Sequence, residues 1–255
     1  MLNIAGPGIS RRRLLCVCTN GVLLTACGGG GGDIESRPNP LATRGCLSVS
    51  AKASQASAGA GCNLAVPSSG NQSQDAAFLT EFNAQGNFWA IPGVSFAFLN
   101  DCNSPNALAN PNDKSILFGI GMAADLLNKF GSNIPLWQVM AHEWGHQVQF
   151  ALGDNWLNAA TVAPKELEAD MFSGFYIQNT KQGQVTQSDI NASLNAAFML
   201  GDWNFNERNH HGTPNQRVAA VLAGSRVADE AARGLIPRTY PSIRQRFLQE
   251  LTRIL

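Results

Sequence analysis

The chain has 255 residues, of which 44% are hydrophobic and only 14% are charged, and its formal net charge is zero. This composition predicts one globular domain with a substantial core behind a processed leader. Three of the 18 Lys and Arg residues lie in the leader, so the remainder carries 15 against 18 Asp and Glu. That balance excludes the basic footprint of a nucleic-acid-binding protein.

Residues 1–26 have the pattern of a bacterial signal peptide. Arg11, Arg12 and Arg13 supply a positive start, and residues 14–26 are a mostly apolar stretch. This stretch is too short to cross a bilayer core of ~30 Å as a helix. The arginine run fits a twin-arginine signal as well as an ordinary Sec signal, so both export routes stay open.

The sequence Leu-Thr-Ala-Cys at residues 24–27 resembles a bacterial lipobox, in which cleavage precedes a cysteine that becomes lipid-modified. We therefore expect a lipid on Cys27, followed by a lipid-anchored flexible linker over residues 27–71 that is rich in Gly, Pro, Ser and Ala. The alternative is an ordinary secretory leader with a stray cysteine. Both interpretations predict export, and the first places the protein on the outer membrane or on the periplasmic face of the inner membrane.

Three cysteines remain outside the leader and the lipobox, namely Cys46, Cys62 and Cys102. An odd number allows at most one intramolecular disulfide among them, and we favour Cys46 with Cys62. None of the three has the CxxC spacing that a cysteine zinc site uses.

The sequence of the first half of the domain predicts one helix and two strands. Residues 73–83 carry apolar side chains at helical spacing and stop before Gly86, while residues 94–99 and 115–119 are short apolar runs typical of strands. Residues 103–113 between them are dense in Asn and Pro and predict a loop. The two strands would form a small sheet or hairpin.

The second half is predicted to be helical, because its apolar residues recur at helical spacing between Gly and Pro punctuation. Thr213, Pro214 and Gln216 form an N-terminal capping box for a helix that Gly224 would end. The predicted helices cover residues 122–130, 135–152, 164–178, 188–201, 213–224 and 242–255.

The segment from His142 to His146 reads His-Glu-Trp-Gly-His, an HExxH motif. Two imidazoles four positions apart on a helix project from one face and can bind zinc together. Glu143 lies about 100° round the same helix, where a carboxylate can take a proton from water that zinc activates. The flanking residues are apolar and predict a buried helix, in which unpartnered imidazoles would be costly. The alternative is a solvated surface helix.

A catalytic zinc normally takes a third protein ligand. Glu166 and Asp170 lie four residues apart on one face of the next predicted helix, whereas Glu168 lies about 200° from Glu166 and points away. Glu166 and Asp170 are therefore expected to act together, as the source of the third ligand. A solvated helix face, Glu168 as the ligand, and a third histidine from His210 or His211 are the weaker alternatives.

Three segments together resemble the bacterial neutral zinc metallopeptidase family and, more distantly, gluzincin-type CAAX prenyl and heat-shock membrane endopeptidases. They are HEWGHQVQ from residue 142, ELEAD from residue 166 and HGTPNQR from residue 211, and the resemblance covers roughly residues 96–224. It implies that Glu166 binds zinc and that Asp170 orients a ligand histidine.

The same resemblance gives His211 and Arg217 candidate roles at the oxyanion that forms during peptide hydrolysis. The alternatives are a loop histidine for His211, and for Arg217 a salt bridge to Glu207 or Asp202. His210 is expected to be a bystander. The related peptidases usually carry a transmembrane helix near their start, whereas this chain has a lipobox, and residues 88–118 match only loosely.

These observations predict an α+β, mainly α, zincin-like helical domain over residues 72–255 with one Zn²⁺ per chain. The metal ligands would be His142, His146 and Glu166, the catalytic residues Glu143 and His211, and the supporting residues Asp170 and Arg217. The predicted activity is hydrolysis of peptide bonds in protein or peptide substrates at the bacterial cell envelope, by an endopeptidase held to the membrane by its lipid. The alternative is a non-catalytic zinc-binding envelope lipoprotein that acts as a scaffold.

Overall fold

A computed structural model describes residues 61–102, 104–153, 156 and 159–255. The predicted leader, the predicted lipidation site Cys27, Cys46 and most of the predicted linker lie outside the described residues. Within the part that the structure describes, no helix is both long enough and apolar enough to cross a membrane.

The described part of the chain contains four strands and seven helices, which confirms the α+β, mainly α, prediction. The strands are β1 (Leu64–Val66), β2 (Ser95–Asn100), β3 (Ala107–Asn110) and β4 (Ser115–Gly119). The helices are α1 (Gln72–Trp89), α2 (Ile120–Phe130), α3 (Ile134–Leu152), α4 (Ala163–Lys181), α5 (Gln187–Met199), α6 (Pro214–Ala232) and α7 (Tyr240–Ile254).

The strands form one mixed sheet in the order β1-β2-β4-β3. β2 and β4 are parallel, and β1 and β3 pair antiparallel at the two edges. Neither edge strand was predicted: β1 lies in the segment predicted as a linker and β3 in the segment predicted as a loop, so both of those predictions are wrong at these residues. The two edge strands are only three and four residues long, so neither shows a periodic pattern, and their conformation comes from pairing with the central strands.

The disulfide joins Cys62 to Cys102, so the favoured pairing of Cys46 with Cys62 is wrong. The physical reason is strand register. β1 pairs Leu64 with Asn100 on β2, and two further steps outward along both strands bring Cys62 opposite Cys102. Their Cα atoms are 5.7 Å apart, within the normal range for a disulfide. The bond therefore fixes the edge strand to the sheet.

Two glycines that were expected to end helices lie inside them. α1 continues through Gly86 to Trp89, and α6 continues through Gly224 to Ala232. At Gly224 an added Cβ would overlap the carbonyl oxygen of Met171 on α4, so this glycine allows two helices to touch. The predicted capping box at the start of α6 is confirmed: the side chains of Thr213 and Gln216 each accept from the backbone N–H of the other.

α4 lies at the centre of the helical layer and packs most extensively against α6 and α3. Glycines make both approaches close. An added Cβ on Gly174 of α4 would overlap the Val221 carbonyl of α6, and one on Gly145 of α3 would lie only 3.0 Å from the Ala169 carbonyl of α4. The close α3–α4 contact places the first turn of α4 beside the HExxH segment.

Candidate metal centre

The histidines of the HExxH segment and Glu166 converge at the α3–α4 contact. Nε2 of His142 lies 3.3 Å from one carboxylate oxygen of Glu166, and Nε2 of His146 lies 3.4 Å from the other. One ligand atom from each residue lies within 4.8 Å of the other two, and all three side chains are buried. This group could hold a metal ion, with the three residues that the sequence analysis proposed as ligands.

Glu143 lies next to this group and is fully buried. Among the described residues neither of its carboxylate oxygens has a hydrogen-bond partner, which is a costly state for a buried polar group. Burial raises the pKa of Glu143, against the opposing charges of His142 and His146. A cation at the neighbouring group would compensate for the unpartnered carboxylate.

The donor set fits zinc, which accepts imidazole nitrogens and carboxylate oxygens and keeps one position open in catalytic sites. Imidazole and carboxylate also bind other transition ions, so zinc shares this donor set with them.

Asp170 supports His142 from behind. Its Oδ1 lies 2.8 Å from Nδ1 of His142, and its two oxygens also accept hydrogen bonds from Arg217 at 2.7 and 2.9 Å. Burial opposes ionisation of Asp170, but the charges of Arg217 and His142 outweigh it and lower its pKa. Burial likewise acts to lower the pKa of His142, and the Asp170 carboxylate overcomes it and raises this pKa to about 9. Asp170 therefore lies where a carboxylate can fix the orientation of the His142 ring.

Arg217 is a buried ion-pair partner of Asp170, which the sequence analysis had not considered among its salt-bridge partners. Its Nη1 also donates to the carbonyl of Leu200 and lies 4.0 Å from Glu166. Arg217 thus lies behind the metal group and connects α6 to it.

His146 has a different partner. Its Nδ1 lies 2.8 Å from the amide oxygen of Gln149, whose Nε2 donates to Glu168 and to the Lys165 carbonyl. Glu168 does not belong to the His142, His146 and Glu166 group; it is fully buried and paired with Arg244. Gln149 was not among the predicted site residues, although residues three apart on a helix are neighbours and its position after His146 indicates such a contact.

His211 is buried on the segment between α5 and α6, close enough to Glu166 for the two side chains to interact electrostatically. The carboxylate of Asp202 accepts the backbone N–H of His211 at 2.8 Å and lies 2.6 Å from Nδ1 of His210. Burial lowers the pKa of His211, against the attraction of the nearby Glu166 carboxylate. Asp202 therefore holds both neighbouring histidines, and the sequence analysis missed this function.

Neither a protein-family model, nor a curated protein, nor a solved structure gives a significant match to the chain. The resemblance to the neutral zinc metallopeptidases therefore stays a prediction from the motifs. The chemistry of the site has to be argued from its own geometry: a buried His-His-Glu group that could hold an ion, with an unpartnered carboxylate beside it.

Proposed function

We propose that the protein is a zinc-dependent peptidase that hydrolyses peptide bonds. The observation that carries the proposal is Glu143, a fully buried carboxylate without a hydrogen-bond partner among the described residues, next to the His142, His146 and Glu166 group. A structural zinc site needs ligands and no additional carboxylate beside them. A hydrolytic site does need one, as a general base for the attacking water.

Each residue of the site has a separate role in this proposal. His142, His146 and Glu166 would hold zinc, which supplies Lewis acidity when it is bound. Glu143 takes a proton from the attacking water and passes it to the leaving amine. His211, whose ring interacts electrostatically with Glu166, would donate a ring N–H to the negative charge that develops on the carbonyl oxygen.

Asp170 and Arg217 keep His142 in place and do not touch the substrate. The Asp170 carboxylate accepts from Nδ1 of His142, which leaves Nε2 of that ring directed at Glu166 and available to the metal.

The proposed location rests on residues 1–27, whose pattern resembles the leader and lipobox of an exported lipoprotein. A lipid on Cys27 would hold the peptidase at the envelope membrane, where its substrates would be exported proteins or peptides. A non-catalytic zinc-binding lipoprotein is the competing function, and it differs in needing no base at position 143.

The proposal is tested by metal analysis and casein hydrolysis on purified wild-type protein, Glu143→Gln and Glu166→Gln. We expect about one zinc per chain and hydrolysis in the wild type. Glu143→Gln should keep zinc and lose turnover, because it removes the base and no ligand, whereas Glu166→Gln should lose most of the zinc.

Glu81→Gln is the matched control, since Glu81 is another buried glutamate but pairs with Tyr176 and Lys181 outside the site. It should keep both zinc and hydrolysis. Zinc binding by the wild type without any hydrolysis would refute the peptidase and favour the scaffold function. Full hydrolysis by Glu143→Gln would refute Glu143 as the general base.

A further inference from the structure

The two histidines of the group are supported by unlike partners. Nδ1 of His142 faces the carboxylate of Asp170, which Arg217 neutralises. Nδ1 of His146 faces the uncharged amide of Gln149 at 2.8 Å. A carboxylate can only accept from a ring N–H, but an amide can either accept through its oxygen or donate through its nitrogen. The proton on His146 is therefore set by whatever fixes the orientation of the Gln149 amide.

The surroundings of Gln149 allow one orientation of its amide. Its nitrogen lies 2.8 Å from the Lys165 carbonyl oxygen and 2.8 Å from a carboxylate oxygen of Glu168. Both neighbours are acceptors, so an amide turned by 180° would place its oxygen against two oxygens. The amide oxygen must then face His146, and it can only accept there. The amide oxygen therefore requires a proton on Nδ1 of His146. A neutral His146 ring with that proton has its lone pair on Nε2, the nitrogen that lies 3.4 Å from a Glu166 oxygen.

Glu168 is the fixed end of this arrangement. Besides the Gln149 amide it accepts from Nε and Nη2 of Arg244, at 2.7 and 3.1 Å, and from the indole N–H of Trp156 at 2.8 Å. Arg244 lies on α7 and also donates to the Gly153 carbonyl at the end of α3. Because Glu168 is fully buried and anchored from two sides, it cannot turn to release the amide.

We propose that Gln149 is a positioning residue that, held by Glu168, fixes the tautomer of His146 that can bind the metal through Nε2. The inference rests on the proposed metal site and adds to it a second support, independent of Asp170. It also gives Glu168 a role in the site without making it a ligand.

The first test compares Gln149→Leu with Gln147→Leu. Gln147 is a buried glutamine of the same helix, and its side chain donates to the carbonyls of Asn110 and Ser115. Gln147→Leu therefore removes side-chain hydrogen bonds, as Gln149→Leu does, but neither of the bonds lost from Gln147 involves a histidine. Zinc affinity is measured by competition with a chelator. Gln149→Leu should lose about 10–100-fold in affinity, as other partners of ligand histidines do, while Gln147→Leu stays near wild type. Equal affinities of the two variants would overturn the proposal.

The second test needs no metal. Nitrogen-15 NMR of metal-free protein in the alkaline range reports which ring nitrogen of His146 carries the proton. We expect Nδ1–H in the wild type and in Gln147→Leu, and a shift towards Nε2–H in Gln149→Leu. A wild-type His146 protonated on Nε2 would contradict the proposal directly. If the tautomer behaves as expected but zinc does not bind, the peptidase function fails and the positioning role of Gln149 stands.

A third variant tests the role of Glu168. Glu168→Gln should release the amide and lower zinc affinity in the same direction as Gln149→Leu. Because both act through one hydrogen bond to His146, the double variant should bind zinc no more weakly than Gln149→Leu alone. Additive losses would show that Glu168 acts by another route and would refute this part of the relay.

Discussion

Arg217 and Asp170 form a buried two-pronged ion pair, with Nε of the arginine 2.7 Å from Oδ2 and Nη2 2.9 Å from Oδ1 of the carboxylate. The same carboxylate accepts from His142. One ion pair thus connects α6, α4 and α3, and the fold and the candidate metal centre share it.

We predict that Arg217→Met destabilises the metal-free protein by about 3–5 kcal/mol, because it leaves the Asp170 charge buried without its partner. Urea unfolding of the metal-free protein measures the change. Arg246→Met is the control, since Arg246 pairs with Glu230, where both side chains are partly exposed, and with Glu250. Glu250 would keep Arg226 and Arg253 as partners, so the loss of Arg246 should cost about 0–1 kcal/mol. A loss below about 1 kcal/mol for Arg217→Met would show that the buried pair is not needed for stability.

Metal binding should release a proton near neutral pH. Despite burial, Asp170 raises the pKa of His142 to about 9 in the metal-free protein, and only the neutral ring can bind a metal. Calorimetry in buffers of different ionisation enthalpy measures the release, and apparent zinc affinity should rise with pH up to about 9. Equal binding heats in all buffers at pH 7 would contradict the prediction.

The same shift predicts the opposite trend for stability without metal. Because the folded-state pKa of His142 lies above the value of 6.5 for an unperturbed ring, its contribution is fully present below pH 6.5 and is lost as pH rises through about 9. Unfolding curves of the metal-free protein across this range measure the loss. His142→Gln removes the titrating ring and should flatten the curve.

His211→Ala should keep zinc and lower kcat by about 10²–10³-fold, the usual loss when one oxyanion donor is removed. His210→Ala is the matched control, because both histidines are held by Asp202. It should leave kcat near wild type, as expected for a bystander. Steady-state kinetics on a peptide substrate measure both, and equal losses in the two variants would remove His211 from the catalytic residues.

Gly174→Ala should destabilise the fold by about 1–3 kcal/mol, because the added methyl group must push α4 and α6 apart. The contact is with the Val221 carbonyl, which belongs to a helix backbone and cannot turn aside. Gly86→Ala is the control within α1, because its Cβ would lie 3.4 Å from the Trp144 ring, an ordinary contact. This variant should be more stable by roughly 0.5–1 kcal/mol, because alanine loses less backbone entropy than glycine when the helix forms. Thermal unfolding distinguishes the two signs.

The local part of the site was predictable from sequence. The HExxH spacing places two imidazoles on one face whatever surrounds the helix, and the spacing of Glu166 and Asp170 does the same on α4. The bounds of α3 agree with the prediction to one residue, because Pro135 and Gly153 mark its ends by backbone chemistry alone.

The parts that were missed depend on distant partners. β1 and β3 are strands only because β2 and β4 pair with them, and the disulfide follows from that register. Gly224 has the pattern of a helix end, but its role is decided by a carbonyl 53 positions earlier, on Met171. Glu168 pairs with Arg244, which lies 76 positions later in the chain, so no local sequence pattern predicts the pair.

Gly145 is the second variable position of the HExxH motif, and a Cβ added to it would lie only 3.0 Å from the backbone of α4. The span between the imidazoles and Glu166 is therefore dictated by how closely two backbones can approach, and any bulk at position 145 would widen it. The size of ion that this group would accept then depends on the helix crossing, and libraries that seek new metal selectivity should vary that crossing before they vary the ligands.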